Sequence, residues 1–271
     1  MKKLNLIFVL AAAIGLVSCG GAATSLSILH VNDTHSHHEP MRSGPRAGHG
    51  GVIERAAIVD SVRNARGASN VLLLHAGDFN QGTSYFTTFG GLLEIDLINA
   101  MGYDCITLGN HEFDNGIENL AARLKGLECP VVCANVDFSG TPLEDIVEPC
   151  TVIRKAGKKI GIVGATSDLS SNVASSISSR LKQYDNTEVI NVCSDYLKNQ
   201  EKCDLVIFLS HLGYWEDQML VPTLHNVDIV IGGHTHTFVD DFVYVQDADG
   251  RVVPIITDGC WGYDVGEIIL K

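Results

Sequence analysis

Basic residues are scarce in this sequence. Lys and Arg together number 19 against 32 Asp and Glu, for a formal net charge of -13. That balance excludes a protein that holds nucleic acid by neutralising phosphates. An anionic substrate would have to be drawn in by a local site, because the global field repels it. None of the eight cysteines forms a C-x-x-C pair, and eight in 271 residues exclude a disulfide-dense mini-protein. There is no internal repeat and no interdomain linker. The apolar run Leu4–Val17 is too short to span a bilayer as a mature helix. What is present is a 45% hydrophobic, 19% charged composition, enough for one large core or at most two modest ones, and far from that of a disordered chain.

Lys2 and Lys3 followed by a short apolar stretch read as a secretory signal. The stretch closes on Leu16-Val17-Ser18-Cys19, which resembles a bacterial lipobox. That resemblance implies a signal peptide over 1–18, lipidation of Cys19, a flexible tether over 19–25 and a cell-envelope location on a bacterial membrane. The remaining seven cysteines are expected to be small buried hydrophobes.

Eight short β-branched runs stand out: Leu26–Val31, Val71–His75, Cys105–Leu108, Val131–Ala134, Lys159–Val163, Leu205–Leu209, Asp228–Ile231 and Val253–Thr257. Helical stripes lie among them. One is Leu93, Leu97, Ala100 and Met101 before Gly102. A second is Ile117, Leu120, Ala121 and Leu124, and a third is Val189, Val192, Cys193, Tyr196 and Leu197. The alternation predicts a layered α/β domain over 26–271, with an antiparallel edge in its last thirty or so residues. Glu39–Gly51 reads as a loop, and the Ser-rich Ser167–Ser179 as a mobile surface loop.

Polar residues collect where the apolar runs stop. The first runs into Asn32-Asp33-Thr34-His35, the second into Ala76-Gly77-Asp78, the third into Gly109-Asn110-His111-Glu112. Later runs stop at Ser210-His211 and at Gly232-Gly233-His234-Thr235-His236. Ligands of open α/β sheets bind outside the carboxyl ends of strands, so these clusters are candidates to converge. Carboxylate, imidazole and amide oxygen together suit Zn, Mn, Fe or Co better than an all-oxygen Ca²⁺ cage.

The order D-x-H, G-D, G-N-H-E, lone His, G-H-x-H resembles the calcineurin-like metallophosphoesterases. The segments Gly77–Thr83 and Leu108–Gly116 are similar to the N-terminal catalytic domain of bacterial 5′-nucleotidases. The resemblance implies a four-layer α/β/β/α sandwich and two divalent metal ions. It assigns the first metal to Asp33, His35, Asp78 and His236, and the second to Asp78, Asn110, His211 and His234, with Asp78 bridging. Several 5′-nucleotidases carry Gln where His236 stands, so metal preference is expected to differ there. His111, oriented by Asp114, is expected to protonate the leaving alkoxide or to donate to the transition state.

The expected activity is two-metal hydrolysis of phosphate esters, foremost nucleoside 5′-monophosphates. A C-terminal recognition domain on a separate chain is the expected partner. Broad or 2′,3′-cyclic-nucleotide phosphodiesterase activity is one alternative, and a non-catalytic surface scaffold is another. Among the remaining candidates, His37 and His38 read as solvated loop residues that could line a cleft. His75 reads as a core or supporting histidine, Glu112 as structural, Asp168 as a candidate support to the site, and Arg55 as helix surface or fold support.

Overall fold

The computed structural model describes residues 25–271; the expected signal peptide, Cys19 and most of the tether lie outside them. Fourteen strands follow in chain order: β1 (Leu26–Val31), β2 (Val71–His75), β3 (Cys105–Thr107), β4 (Val131–Val132), β5 (Val136–Asp137), β6 (Val147–Glu148), β7 (Cys150–Lys155), β8 (Lys158–Thr166), β9 (Lys182–Gln183), β10 (Leu205–His211), β11 (Ile229–Ile231), β12 (Val243–Gln246), β13 (Val252–Ile256) and β14 (Gly266–Leu270). Twelve of them build two six-stranded sheets, ordered β14-β1-β2-β3-β4-β6 and β12-β13-β11-β10-β8-β7. The main helices are α1 (Val52–Arg66), α2 (Ser84–Phe89), α3 (Leu92–Met101), α4 (Ile117–Leu124), α5 (Leu169–Asn172), α6 (Ser175–Ser178), α7 (Asn186–Asp195) and α8 (Tyr214–Leu220).

The period-2 pleat explains the layering. Leu26 and Ile28 of β1, with Leu72 and Leu74 of β2, face Ile160, Ile162, Ile207 and Leu209 of the second sheet. Their neighbours Leu29, Val31, Val71 and Leu73 point the other way and pack with Ile95, Ile98, Leu120 and Leu124 of α3 and α4. In β10, Val206 and Phe208 turn outward onto Ile190 and Cys193 of α7. Strands buried on both faces are runs of apolar residues rather than alternations. The result is the expected α/β/β/α sandwich.

The central strands β1, β2 and β3 are mutually parallel, as are β8, β10, β11 and β13. Their carboxyl ends therefore lie along one edge of each sheet. The two sheets approach closely at β4 and β8, where a Cβ on Gly164 would stand 2.2 Å from the Val132 carbonyl oxygen.

The antiparallel expectation for the last strands splits between the sheets. β12 pairs antiparallel with β13, while β14 crosses to pair antiparallel with β1. The sequence pattern gives no sign of the hairpin β7–β8. One stripe is out of phase: in α3 the buried residues are Glu94, Ile95, Ile98 and Met101. The α7 stripe holds at Val189, Cys193 and Leu197, which pack in the core with Ile190, whereas Val192 and Tyr196 are exposed. Both helices carry more apolar residues than one face needs, so composition alone did not say which face turns inward. Ser167–Ser179 is not an irregular loop but carries the one-turn helices α5 and α6, the first capped by the Asp168 carboxylate accepting from Ser170 N at 2.9 Å.

Five of the seven described cysteines are buried, Cys129 and Cys150 are half-buried, and none forms a disulfide. Among the described residues, no helix is long and apolar enough to cross a membrane.

Candidate metal centre

The segments after β1, β2, β3, β10 and β11 meet at one place, and they meet in strained backbone. Asp33, His35, Ser36, Asp78, His234 and His236 all have positive φ between 46° and 77°. For residues other than glycine this left-handed conformation persists only where surroundings impose it. Here the imposition is a ladder of loop-to-loop bonds: Asp33 N–H to Gly77 O, His35 N–H to Asp78 O and Ser36 N–H to Phe79 O, each 3.0 Å. Gly77 and Gly109 let the next two loops lie back to back. A Cβ on Gly77 would meet Gly109 N and the His211 ring at 2.7 Å, and one on Gly109 would meet Asp78 Oδ1 at 2.1 Å.

Two groups of metal-ligating side chains result, Asp33–His35–His236 and Asp78–His211–His234, the ligand atoms of each lying within 4.8 Å of one another. His35 and His236, 201 residues apart, bring their Nε2 atoms to 2.9 Å. Asp78 Oδ2 lies 3.1 Å from His211 Nε2 and 3.8 Å from His35 Nε2, so it stands between the two groups.

Each carboxylate has one oxygen spoken for. His234 N–H donates to Asp33 Oδ2 at 2.8 Å, and His111 N–H to Asp78 Oδ1 at 2.9 Å. The other Asp33 oxygen is buried among imidazoles, 3.4 Å from His236 Nε2 and 3.6 Å from His35 Nε2, as Asp78 Oδ2 is 3.1 Å from His211 Nε2. Two imidazoles are fixed in tautomer by carbonyls, which only accept. His211 Nδ1–H donates to Ala76 O at 2.7 Å and His35 Nδ1–H to Asn80 O at 3.1 Å. In the neutral rings this leaves both Nε2 lone pairs turned into the site, as metal-binding histidines require.

The carboxylates draw positive charge into the site, and a bound cation would displace the protons they otherwise hold on the imidazoles. Burial disfavours charge on His211, yet the carboxylates of Asp78 and Asp33 outweigh it and lift the imidazole to about 10. His236 is raised to about 10 by hydrogen bonds to Asp33 and then Cys260. Burial pushes Asp33 upward, but His211, His236 and His35 together hold it well below the carboxylate range. Carboxylates and imidazoles crowded into two adjoining groups, the ligand atoms of each within 4.8 Å of one another, fit two divalent cations.

Asn110 lies in the same cavity, and its Oδ1 accepts from Ser167 Oγ at 3.2 Å. His111 borders it too. Its Nδ1 is 2.9 Å from Asp114 Oδ2, and that hydrogen bond raises the imidazole above its ordinary value. The cavity measures about 570 Å³ and is also lined by His37, Gln81, Gly82, Ser171, Asn172, His234 and Trp261, a size suited to a small ligand.

The other candidates sort themselves by their partners. His37 lines the cavity. His38 is turned away and bonds Glu94 at 3.1 Å. His75 is buried against Thr34 Oγ1 at 3.0 Å, and burial drops it to about 3. Asp168 caps α5 and also accepts from Ser171 Oγ at 2.6 Å, and Ser171 lines the cavity. Arg55 is not helix surface: it is 5% exposed and donates to His37 O at 3.3 Å.

Glu112 is the residue that sequence reasoning understated. Its Oε2 accepts from Asp78 N (2.8 Å) and Gly109 N (2.6 Å), and its Oε1 from Phe79 N (3.0 Å) and Asn80 N (3.2 Å). One carboxylate thereby ties the β2 and β3 loops together. The G-N-H-E spacing was the available signal. Cys260, a hydrogen-bond partner of His236, had none.

Asp217 of α8 supports the end of β10, accepting from Ser210 Oγ at 2.5 Å. It is fully buried, and desolvation raises it from 3.8 to about 7. The neutral carboxyl is the form the fold prefers. Its stabilising contribution is complete below about pH 4 and is lost as pH rises through about 7. Asp217→Asn keeps the acceptor and removes the titration. Denaturant unfolding at pH 5 and pH 8 should show the wild type losing on the order of 3 kcal/mol relative to the variant. Parallel pH dependence of the two proteins would contradict this.

The calcineurin-like phosphoesterase family profile matches residues 26–238. A probable 5′-nucleotidase of Treponema pallidum is 35% identical over 225 residues, which is 80% of this chain and 37% of that protein. A snake venom 5′-nucleotidase of Gloydius brevicauda is 33% identical over 272 residues, 92% of this chain and 46% of that protein. Among solved structures, a 5′-nucleotidase precursor from Thermus thermophilus superposes with a TM-score of 0.84 at 32% identity, covering 91% of this chain and 51% of the other. The chain thus spans about half the length of the relatives it matches, or less.

Proposed function

Because this chain belongs to the calcineurin-like phosphoesterase family, a family of metal-dependent phosphoesterases that use two divalent cations, we propose that it hydrolyses nucleoside 5′-monophosphates to nucleoside and phosphate. The observation that carries this reading is the pair of adjoining ligand groups with Asp78 between them, beside a protonatable His111 in one cavity. We assign Asp33, His35, Asp78 and His236 to one cation and Asp78, Asn110, His211 and His234 to the other. The nucleotide class comes from the 5′-nucleotidase relatives. Export and lipid attachment at Cys19 belong to the same reading.

The cations, when bound, supply positive charge for the phosphoryl oxygens and acidify water. The chain's own residues do the rest. The β1 and β2 loops hold Asp33 and Asp78 rigidly, so little reorganisation accompanies charge development. Asp114 accepts from His111 Nδ1–H, which favours the protonated ring, whose Nε2–H would serve the departing alkoxide oxygen.

The direct test is phosphate release from AMP by residues 20–271 with Mn²⁺ or Zn²⁺, bis-p-nitrophenyl phosphate as the generic ester and Asp78→Asn as the blank. Release from AMP that the blank lacks is the expected result. Activity on the generic ester alone would place nucleotide recognition on another chain. No activity on either with both cations bound would favour the scaffold reading. His111→Ala should lower kcat by roughly 10²–10⁴ with metal content intact; equal loss of metal and activity would overturn its assigned role.

A further inference from the structure

The metal cavity has one aromatic side, and no step of the hydrolysis uses it. Trp261 stacks on His37 with ring centroids 4.7 Å apart and planes 15° from parallel, and both residues line the cavity. The rings continue outward. Tyr263 meets Trp261 edge-on at 5.8 Å, and Phe238 lies 6.3 Å from Tyr263. Arg46 closes the row, its guanidinium 3.9 Å above the Phe238 ring. This aromatic row, capped by an Arg46 that also pairs with Asp264 at 3.2 Å, begins beside the proposed metal ligands.

Its inner end is held under strain. Trp261 has φ +60°, a conformation that bulky residues avoid. It is kept there by its own N–H, which donates to Asp33 O at 2.6 Å. A bulky side chain fixed in an unfavourable backbone, tethered to a residue of the catalytic centre and facing a 570 Å³ cavity, is placed for contact with a ligand. The contact surface is flat and π-rich. It suits a planar aromatic group.

We propose that Trp261, backed by His37, is a specificity-determining residue that holds the nucleobase of a nucleoside phosphate within this half of the molecule. The inference rests on the phosphoesterase reading for its choice of substrate, but not for its test. It revises the expectation that recognition resides wholly on another chain.

Base stacking on an aromatic side chain is worth about a tenfold change in affinity or more. Trp261→Ala should therefore raise KM for AMP about tenfold with kcat unchanged. Ribose 5-phosphate, which lacks the base, should be hydrolysed equally by both proteins, and Trp261→Phe should restore most of the AMP affinity. An equal loss on the two substrates would assign Trp261 a structural role and overturn the proposal.

A second measurement needs no turnover and no variant of Trp261. The sequence has two tryptophans, and the other, Trp215, is 63% exposed on α8. In Trp215→Phe the fluorescence reports Trp261 alone. Saturable quenching by adenosine but not by ribose is the expected outcome. Saturable quenching without phosphate release from any ester would sink the hydrolytic reading and leave the aromatic site standing. Hydrolysis of AMP and ribose 5-phosphate at equal KM without quenching would do the reverse.

Discussion

Asp78→Asn should strip both cation positions, whereas His236→Ala should strip one. Asp78 Oδ2 lies within 4 Å of a histidine nitrogen from each group, so the loss of its charge is felt on both sides. Among the proposed ligands His236 lies within 4 Å of Asp33 and His35, both of the first group. Elemental analysis after dialysis against a limiting metal buffer should give near-zero occupancy for Asp78→Asn. For His236→Ala it should give about half the wild-type occupancy. The loss in affinity should exceed about 100-fold for Asp78→Asn, the upper end of what outer partners of a metal contribute.

The effect on stability should depend on the metal. The neutral Asn still accepts from His111 N–H but loses the charge that pairs with His211. Chelation should therefore lower the Tm of the wild type, which loses bound ligand, and leave Asp78→Asn almost unchanged. A half-occupied Asp78→Asn protein, or one that chelation destabilises as much as the wild type, would remove Asp78 from its bridging role.

Glu112→Ala is expected to be among the most damaging substitutions in the molecule, although Glu112 faces no substrate. Four backbone N–H groups converge on its carboxylate in a region closed to water. Each unpaired buried donor costs about 1–3 kcal/mol before relaxation. Allowing for shared relaxation of the loops, the loss should be about 4 kcal/mol, a size reserved for named structural failures. Burial and the Asp78 charge push Glu112 up, to about 7; the four donors favour its ionised form. Glu112→Gln keeps one acceptor oxygen and turns an NH₂ toward donors, so about half that loss is expected. Metal affinity should fall with stability in both variants, because the Asp78 and Asn110 loops lose their common tie. Urea unfolding and metal titration on the same preparations check this. A Glu112→Ala protein within about 1 kcal/mol of the wild type would show that water satisfies these donors.

Much of this was legible in the chain. The runs Leu26–Val31 and Val71–His75 are strands at the expected bounds. The polar clusters following the apolar runs identified the candidate centre, because a strand end in a parallel sheet is where side chains escape the core. The stripe Ile117, Leu120, Ala121 and Leu124 is buried as its period requires. Periodicity reports a local repeat with a known phase only when apolar residues are just sufficient for one face. In α3 and α7 they were in excess, and the neighbouring sheet selected the face.

The sequence by itself determined the layered α/β class, the strand ends that carry chemistry, and the residue types suited to divalent cations. Each of these depends on order along the chain and on side-chain chemistry. Only the tertiary structure decided that His35 meets His236 across 201 residues, that Arg55 is buried beneath the His37 loop, that Glu112 gathers four amides, and that Trp261 lies against His37. Those relations are set by how two sheets twist and pack, which brings remote loops to within hydrogen-bonding distance. No local pattern encodes a distance between segments that meet only after the core between them has formed.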